Sequence, residues 1–236
     1  MQGKTLDKYV RAGLWLLPIY GVANFVGTIS SQPDYHKAGL FPAYARYIST
    51  GSFLASHLAL SIIGTGIGLI GFTALFIYLA SRRASGVSVA AFVTTILGNM
   101  PAVAMFGVAA FAQSAIGKAY LAGHHDVVAL NSSVYGTAAN LNAAAGILLL
   151  TAGMILFAVA ISRSQSLPRT AGILLAASLP IFAVGSITGT ILASIGALML
   201  IGSTIWIARS ASMHEAPRST AATVDQQPPV LAALDA

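Results

Sequence analysis

The sequence predicts an all-α membrane protein of about six transmembrane helices, and three observations carry that expectation. Of its 236 residues, 56% are hydrophobic and only 8% are charged, whereas a soluble domain carries roughly 25% charged residues. Mean hydropathy is +0.80, so too little polar surface exists to cover a water-facing globule, and lipid is the natural solvent for most of the chain. Apolar runs recur at the length that crosses a bilayer, about 20 residues for about 30 Å of hydrocarbon. Cysteine is absent, which removes disulfides, thiolate metal sites and cysteine nucleophiles.

Taken in chain order, residues 1–11 form a short segment ahead of a membrane domain at 12–209. Its spans are expected at 12–30, 52–80, 87–112, 137–162, 170–187 and 188–208, and none contains Asp, Glu, Lys or Arg. The first run is longer than the 7–15 apolar residues of a signal peptide and no small-x-small cleavage site follows, so it reads as a signal anchor. The last two runs are joined by the uncharged stretch "GSITGT", which leaves two spans or one re-entrant pair open. After Arg209 the tail at 210–236 is rich in Ala, Ser, Thr and Pro without a sustained apolar period, the composition of a disordered segment.

Charge sets the orientation. Lys4, Lys8, Arg11, Arg82, Arg83, Arg163, Arg169, Arg209 and Arg218 fall on one side of six spans, and only Lys37, Arg46 and Lys118 on the other. Cytoplasmic loops carry the excess of Lys and Arg, so both termini are expected in the cytoplasm. The formal charge of +6 is therefore membrane topology, not a nucleic-acid patch. A compact, Ala-rich, Cys-free chain of this kind points to a bacterial plasma membrane, with the lipid bilayer as its first partner. Pro18, Pro101 and Pro180 interrupt the odd-numbered spans, and "LPIYGVA" at 17–23 resembles "LPIFAVG" at 179–185. Three repeated helical hairpins would produce that pattern, as in many transporters.

The stretch "SHLALSIIGTGIGLIG" at 56–71 contains a GxGxxG string. A dinucleotide site would need a strand before it, a helix starting at the glycines and an acidic residue about 20 positions on. No acid follows until Asp126, so that reading fails. Instead His57, Ser61, Gly64, Gly68, Gly71, Leu75 and Tyr78 step by four and three along one helix seam. Small residues on such a seam let helix backbones approach closely. Gly64, Gly68 and Gly71 are thus expected to be packing residues, and Gly146 and Gly153 continue a similar seam below Asn142.

His57 shares the glycine face and should point into the bundle, roughly 8 Å below the outer boundary at about 1.5 Å per residue. An imidazole buried there needs a hydrogen-bond partner or a ligand. Asn24, Asn99, Asn142 and Ser61 fall at similar depth, and a proline frees the carbonyl one turn back. These residues are expected to line a polar, kinked pocket that opens outward. "GHHDVV" at 123–128 offers His124 and His125, which with His36, Asp34 and Asp126 could hold a divalent metal if the outer loops meet. Haem on His57 is a further alternative, with its second ligand drawn from a loop. "FPAYARYIST" at 41–50 reads as an interfacial helix with Phe41, Tyr44, Tyr47 and Ile48 toward lipid. Asn131-Ser-Ser matches a glycosylation sequon.

Catalytic signals are lacking: no span carboxylate, no HExxH, no GxSxG and no acidic pair for magnesium are present. Proton pumping lacks its buried acid, and voltage sensing its in-span arginines. The leading expectation is a protein that binds or passes a small, neutral or lipophilic molecule. The alternatives are a non-catalytic subunit or scaffold packing against other membrane chains or copies of itself, and a haem- or metal-linked redox protein.

Overall fold

A computed structural model describes residues 2–29, 32–34, 37, 39–82 and 84–213. His36, Arg83 and the tail from residue 214, which includes Arg218, lie outside the described residues. The described chain is helical throughout with no strand, and six of its helical segments are long and apolar enough to cross a membrane.

The first span is two helices, α1 (Gln2–Leu14) and α2 (Leu16–Ile29), interrupted at Trp15. Pro18 explains the interruption, because its ring crowds the carbonyl four residues back and it has no N–H to offer that group. A short helix α3 (Phe41–Ile48) follows in the outer connection. The second span starts as α4 (Gly51–Ser56), capped by the Thr50 hydroxyl, which accepts from the Phe53 amide at 3.2 Å. It passes through a π-helical stretch, His57–Ile63, and continues as α5 (Gly64–Ala80). The third runs as α6 (Ser85–Gly107), a second π-helical stretch Val108–Gln113, and α7 (Ser114–Leu121). After a turn come α8 (Val127–Val134) and α9 (Thr137–Ser164), which carries the fourth span. The last two spans are α10 (Arg169–Thr188) and α11 (Leu192–Met213).

The re-entrant alternative is settled by length. The 20 residues of α10 cover about 30 Å, a full crossing, and Gly189 at φ +62° ends it in a left-handed cap. The sixth helix continues past the expected boundary at 208 to Met213.

The spans form a ring. Each packs on its neighbour in sequence, and α11 returns to pack on α2, closing it. An even number of crossings leaves both ends of the described chain at one end of the ring, together with Arg82, Arg163, Arg169 and Arg209. This arginine-rich end is called the inner end below. Small residues set several seams. A Cβ on Gly68 would stand 2.7 Å from the Tyr20 ring, and one on Gly98 2.6 Å from the Leu150 amide nitrogen. Gly196 meets the Phe182 backbone in the same way, so α10 and α11 touch at backbone distance. Glycine on a helix face allows that approach.

The inner half is solid. Leu14, Leu17, Leu75, Phe157, Ile161 and Ile207 are wholly buried there, and Phe72 stacks on Phe157 with centroids 5.6 Å apart.

At the outer end the structure departs from the expected boundaries. The third segment runs 37 residues, Ser85–Leu121, about 55 Å at the helical rise, so its last turns stand clear of the hydrocarbon. The expected interfacial helix is present as α3, but Tyr44 and Ile48 are buried in protein, not turned to lipid. The cause is the protruding third helix. Gln113 donates to the Tyr44 hydroxyl at 2.6 Å, Phe41 meets Tyr120 edge-on at 4.9 Å, and Gly117 leaves room for Ile48. Asn131 of the sequon is only 1% exposed, so its amide is closed off from solvent.

Candidate functional site

The outer half of the ring encloses two adjoining cavities. The larger, about 930 Å³, is walled by Asn24 and Thr28 of α2, Ser61, Ser186 of α10, Thr190 and Ser194, with Gln32, Pro33 and Asp34 at its mouth. The smaller, about 270 Å³, lies deeper among Tyr20, Asn99, Ala102, Ile147, Leu150 and Leu179. Asn24, Thr65, Phe106, Phe182 and Ser186 border both, so these five residues form the neck between an upper and a lower chamber. Tyr20 is the floor, and its ring rests edge-on against Phe72 of the inner core at 6.1 Å. All six spans contribute wall. The larger volume lies within the roughly 300–1,000 Å³ of ordinary small-molecule sites.

Local sequence explains why space remains here. Pro101 and Pro180 sit inside α6 and α10, each removing one backbone hydrogen bond and weakening its helix one turn back. Ala102, Ala183 and Ser186 are small and face the gap. The two π-helical stretches lie beside one another at the same end. A π turn inserts a residue and re-aims side chains, and such turns recur at functional sites.

The walls change character with depth. Above the neck, hydroxyls and amides are interspersed with apolar side chains such as Ile29, Leu60 and Ile191, and Thr28 Oγ1 and Ser194 Oγ lie 2.9 Å apart. Asp34 is the one charged residue among the described lining residues, and Lys37 stands 4.0 Å from it. Below the neck the wall is apolar except for Asn99, Tyr20 and the edges of the neck itself. Asn99 is buried and donates through Nδ2 to the Thr95 carbonyl at 2.8 Å. Asn24 likewise donates to the Tyr20 carbonyl at 2.8 Å.

Of the residues singled out from the sequence, Asn24, Ser61 and Asn99 are brought together around these chambers. His57 borders neither. It begins the first π-helical stretch, its Nδ1 lies 2.9 Å from the Phe53 carbonyl, and its ring lies on Phe53 at 4.1 Å. The stretch from His57 to Ile63 is π-helical, so the α-helical count that would put His57 on the face of Gly64 and Gly68 does not apply across it. Asn142 also stands outside the chambers, donating to the Pro101 carbonyl at 3.2 Å and tying α9 to the bend in α6. Gly64, Gly68 and Gly71 face Ala23, Tyr20 and Leu17 of the first span, Gly146 faces Pro101, and Gly153 faces Thr95. All of these contacts are within one chain.

His124 and His125 are exposed at the turn between α7 and α8, with His125 edge-on to Tyr120 at 4.7 Å. Among the described residues no three His, Asp or Glu side chains gather as a metal would require. The sequence reading missed Thr65, Phe106, Phe182 and Ser186 of the neck. Thr65 lies one turn after Ser61 and donates to its carbonyl at 2.5 Å, so helical spacing could have found it. The two phenylalanines carry no local signal.

Ring and chambers together define a polytopic α-helical membrane protein with a central outer pocket. No protein-family model matches the chain, and no curated protein or solved structure is significantly similar to it.

Proposed function

We propose that this protein binds a small uncharged molecule in a pocket open to the outer side of the membrane. The observation that carries this reading is the continuity of the two chambers through the neck of Asn24, Thr65, Phe106, Phe182 and Ser186. Six spans converge on that space, while the same spans are packed solid at the inner end. The positive-inside distribution of arginine supports an open end that faces outside. Hydroxyl and amide groups at the wall supply hydrogen bonds, and no Lys or Arg of the described lining residues invites an anion. A transporter caught open to the outside and a receptor for a lipophilic ligand both fit this arrangement.

The absence of cysteine makes the test clean. Ser186→Cys should react with a membrane-impermeant maleimide added to intact cells, and bulky Trp at Ala102, below the neck, should leave it reactive. Ser203→Cys, buried in the inner half, should stay unreactive. Reaction of Ser186→Cys only after the membrane is opened would overturn the orientation. No reaction under either condition would remove the pocket.

A further inference from the structure

The wall of the lower chamber includes one highly exposed residue. Ile187 of α10 lines it, yet 75% of that residue's surface is exposed. That combination marks Ile187 as the thinnest part of the wall, where an opening toward the lipid would lie. Ile147 of α9 lines the same chamber.

The neighbouring packing explains why α9 and α10 part here. At their inner ends they are close, with Gly172 of α10 against Ala158 and Ile161. Past Pro180, α10 leans instead on α11, where Gly185 meets Ala193 and Gly196 meets Phe182. The outer half of α9 leans the other way, with Gly146 against Pro101. In the outer half each helix turns its close-approach glycines to a different neighbour, so none of them ties the pair together between Ile147 and Ile187. The outside surface at this gap is apolar: Leu148 is 71% exposed and Val184 51%. A gap flanked by such residues faces acyl chains, not water.

Resting on the pocket reading above, we infer that the ligand is a neutral amphipath from the outer leaflet, which enters sideways between α9 and α10. Its apolar chain occupies the lower chamber, and its hydroxyl- or amide-bearing head lies above the neck among Asn24, Ser61 and Ser186. The head is uncharged because a phosphate held there would lose its hydration without a Lys or Arg among the described lining residues, a costly exchange.

Photolabelling in phosphatidylcholine vesicles tests this with the full chain. The probes are a monoacylglycerol with a diazirine in its chain, a lysophosphatidate with the same chain, and a short diazirine alcohol dissolved in the buffer. The monoacylglycerol should label chamber residues such as Leu150 and Leu179, about tenfold more than the lysophosphatidate does. Ile187→Trp, at an exposed position that tolerates bulk, should cut monoacylglycerol labelling far more than labelling by the alcohol. Ala102→Trp, which fills the lower chamber, should abolish both, with gel filtration confirming that each variant is folded. Chamber labelling by the alcohol but not by the monoacylglycerol would overturn the lateral route and leave the pocket standing. Labelling by the monoacylglycerol that Ile187→Trp does not reduce would overturn the route as well. Equal labelling by lysophosphatidate would overturn the neutral head. Failure of every probe to label the chamber would overturn the pocket itself.

Discussion

The inner and outer halves of the ring are made of the same six helices, and neither half contains a charged residue at mid-span, yet one is solid and the other hollow. In the inner half, Phe72, Phe157, Leu175 and Ile207 interlock around Leu17 and Leu75. In the outer half the same helices present Ala102, Ala183 and Ser186 to the chambers and carry Pro101 and Pro180 inside them. Hydrophobicity does not separate the two halves. Volume and helix direction do, because lipid is as apolar as leucine and only close packing distinguishes a filled interior from an empty one.

The largest effect should come from hollowing the solid half. Phe157→Ala removes a wholly buried ring and should lower stability by about 3–5 kcal/mol, the range for large-to-small core changes. Unfolding in mixed micelles would measure it, and a loss below about 1 kcal/mol would mean the inner half is not the packed one.

Next comes the seam that joins the first two spans. Gly68→Ala places a methyl against the Tyr20 ring and should cost about 1–3 kcal/mol by overpacking. Gly66→Ala, two residues away, meets nothing within 4 Å. It should be neutral or stabilise by up to about 1 kcal/mol, through helix propensity alone. Equal effects at the two positions would dissolve the distinction between seam and surface within the GxGxxG string.

A smaller loss is expected outside the ring, where α3 docks on the protruding third helix. Gln113→Leu removes the buried amide that donates to the Tyr44 hydroxyl and should cost about 1–2 kcal/mol. Limited proteolysis near α3 would report whether that docking loosens.

Smallest of all should be His57→Ala. It removes one bond to a carbonyl of its own helix and the contact with Phe53, worth about 1 kcal/mol or less. Labelling of the lower chamber should persist in this variant; its loss would bring His57 into the binding site despite its position outside both linings.

These residues also mark how far the sequence could be read. Six spans and an even topology were legible because apolar length and flanking charge are local properties, readable in any window of about 20 residues. Pro18, Pro101 and Pro180 marked the bends, since the missing N–H acts on its own helix wherever that helix goes. Asn24, Ser61 and Asn99 stood out as polar groups in apolar runs, and they border the chambers. The seam of Gly64, Gly68 and Gly71 followed from helical spacing, although not which helix would fill it.

What only the tertiary structure decided are the relations between helices. An apolar span is hydrophobic all round, so no periodicity says which face turns inward. Phe106 and Phe182 at the neck look like any lipid-facing phenylalanine until the ring closes. His57 was assigned a face by counting at 3.6 residues per turn, and the π-helical stretch from His57 to Ile63 broke that count. Tyr44 and Ile48 were assigned to lipid because nothing local announces that α6 would continue through α7 and offer Gln113 and Gly117 as partners. Span number and side follow from each segment's own transfer from water to lipid, whereas pocket, portal and buried faces depend on contacts between segments far apart in the chain.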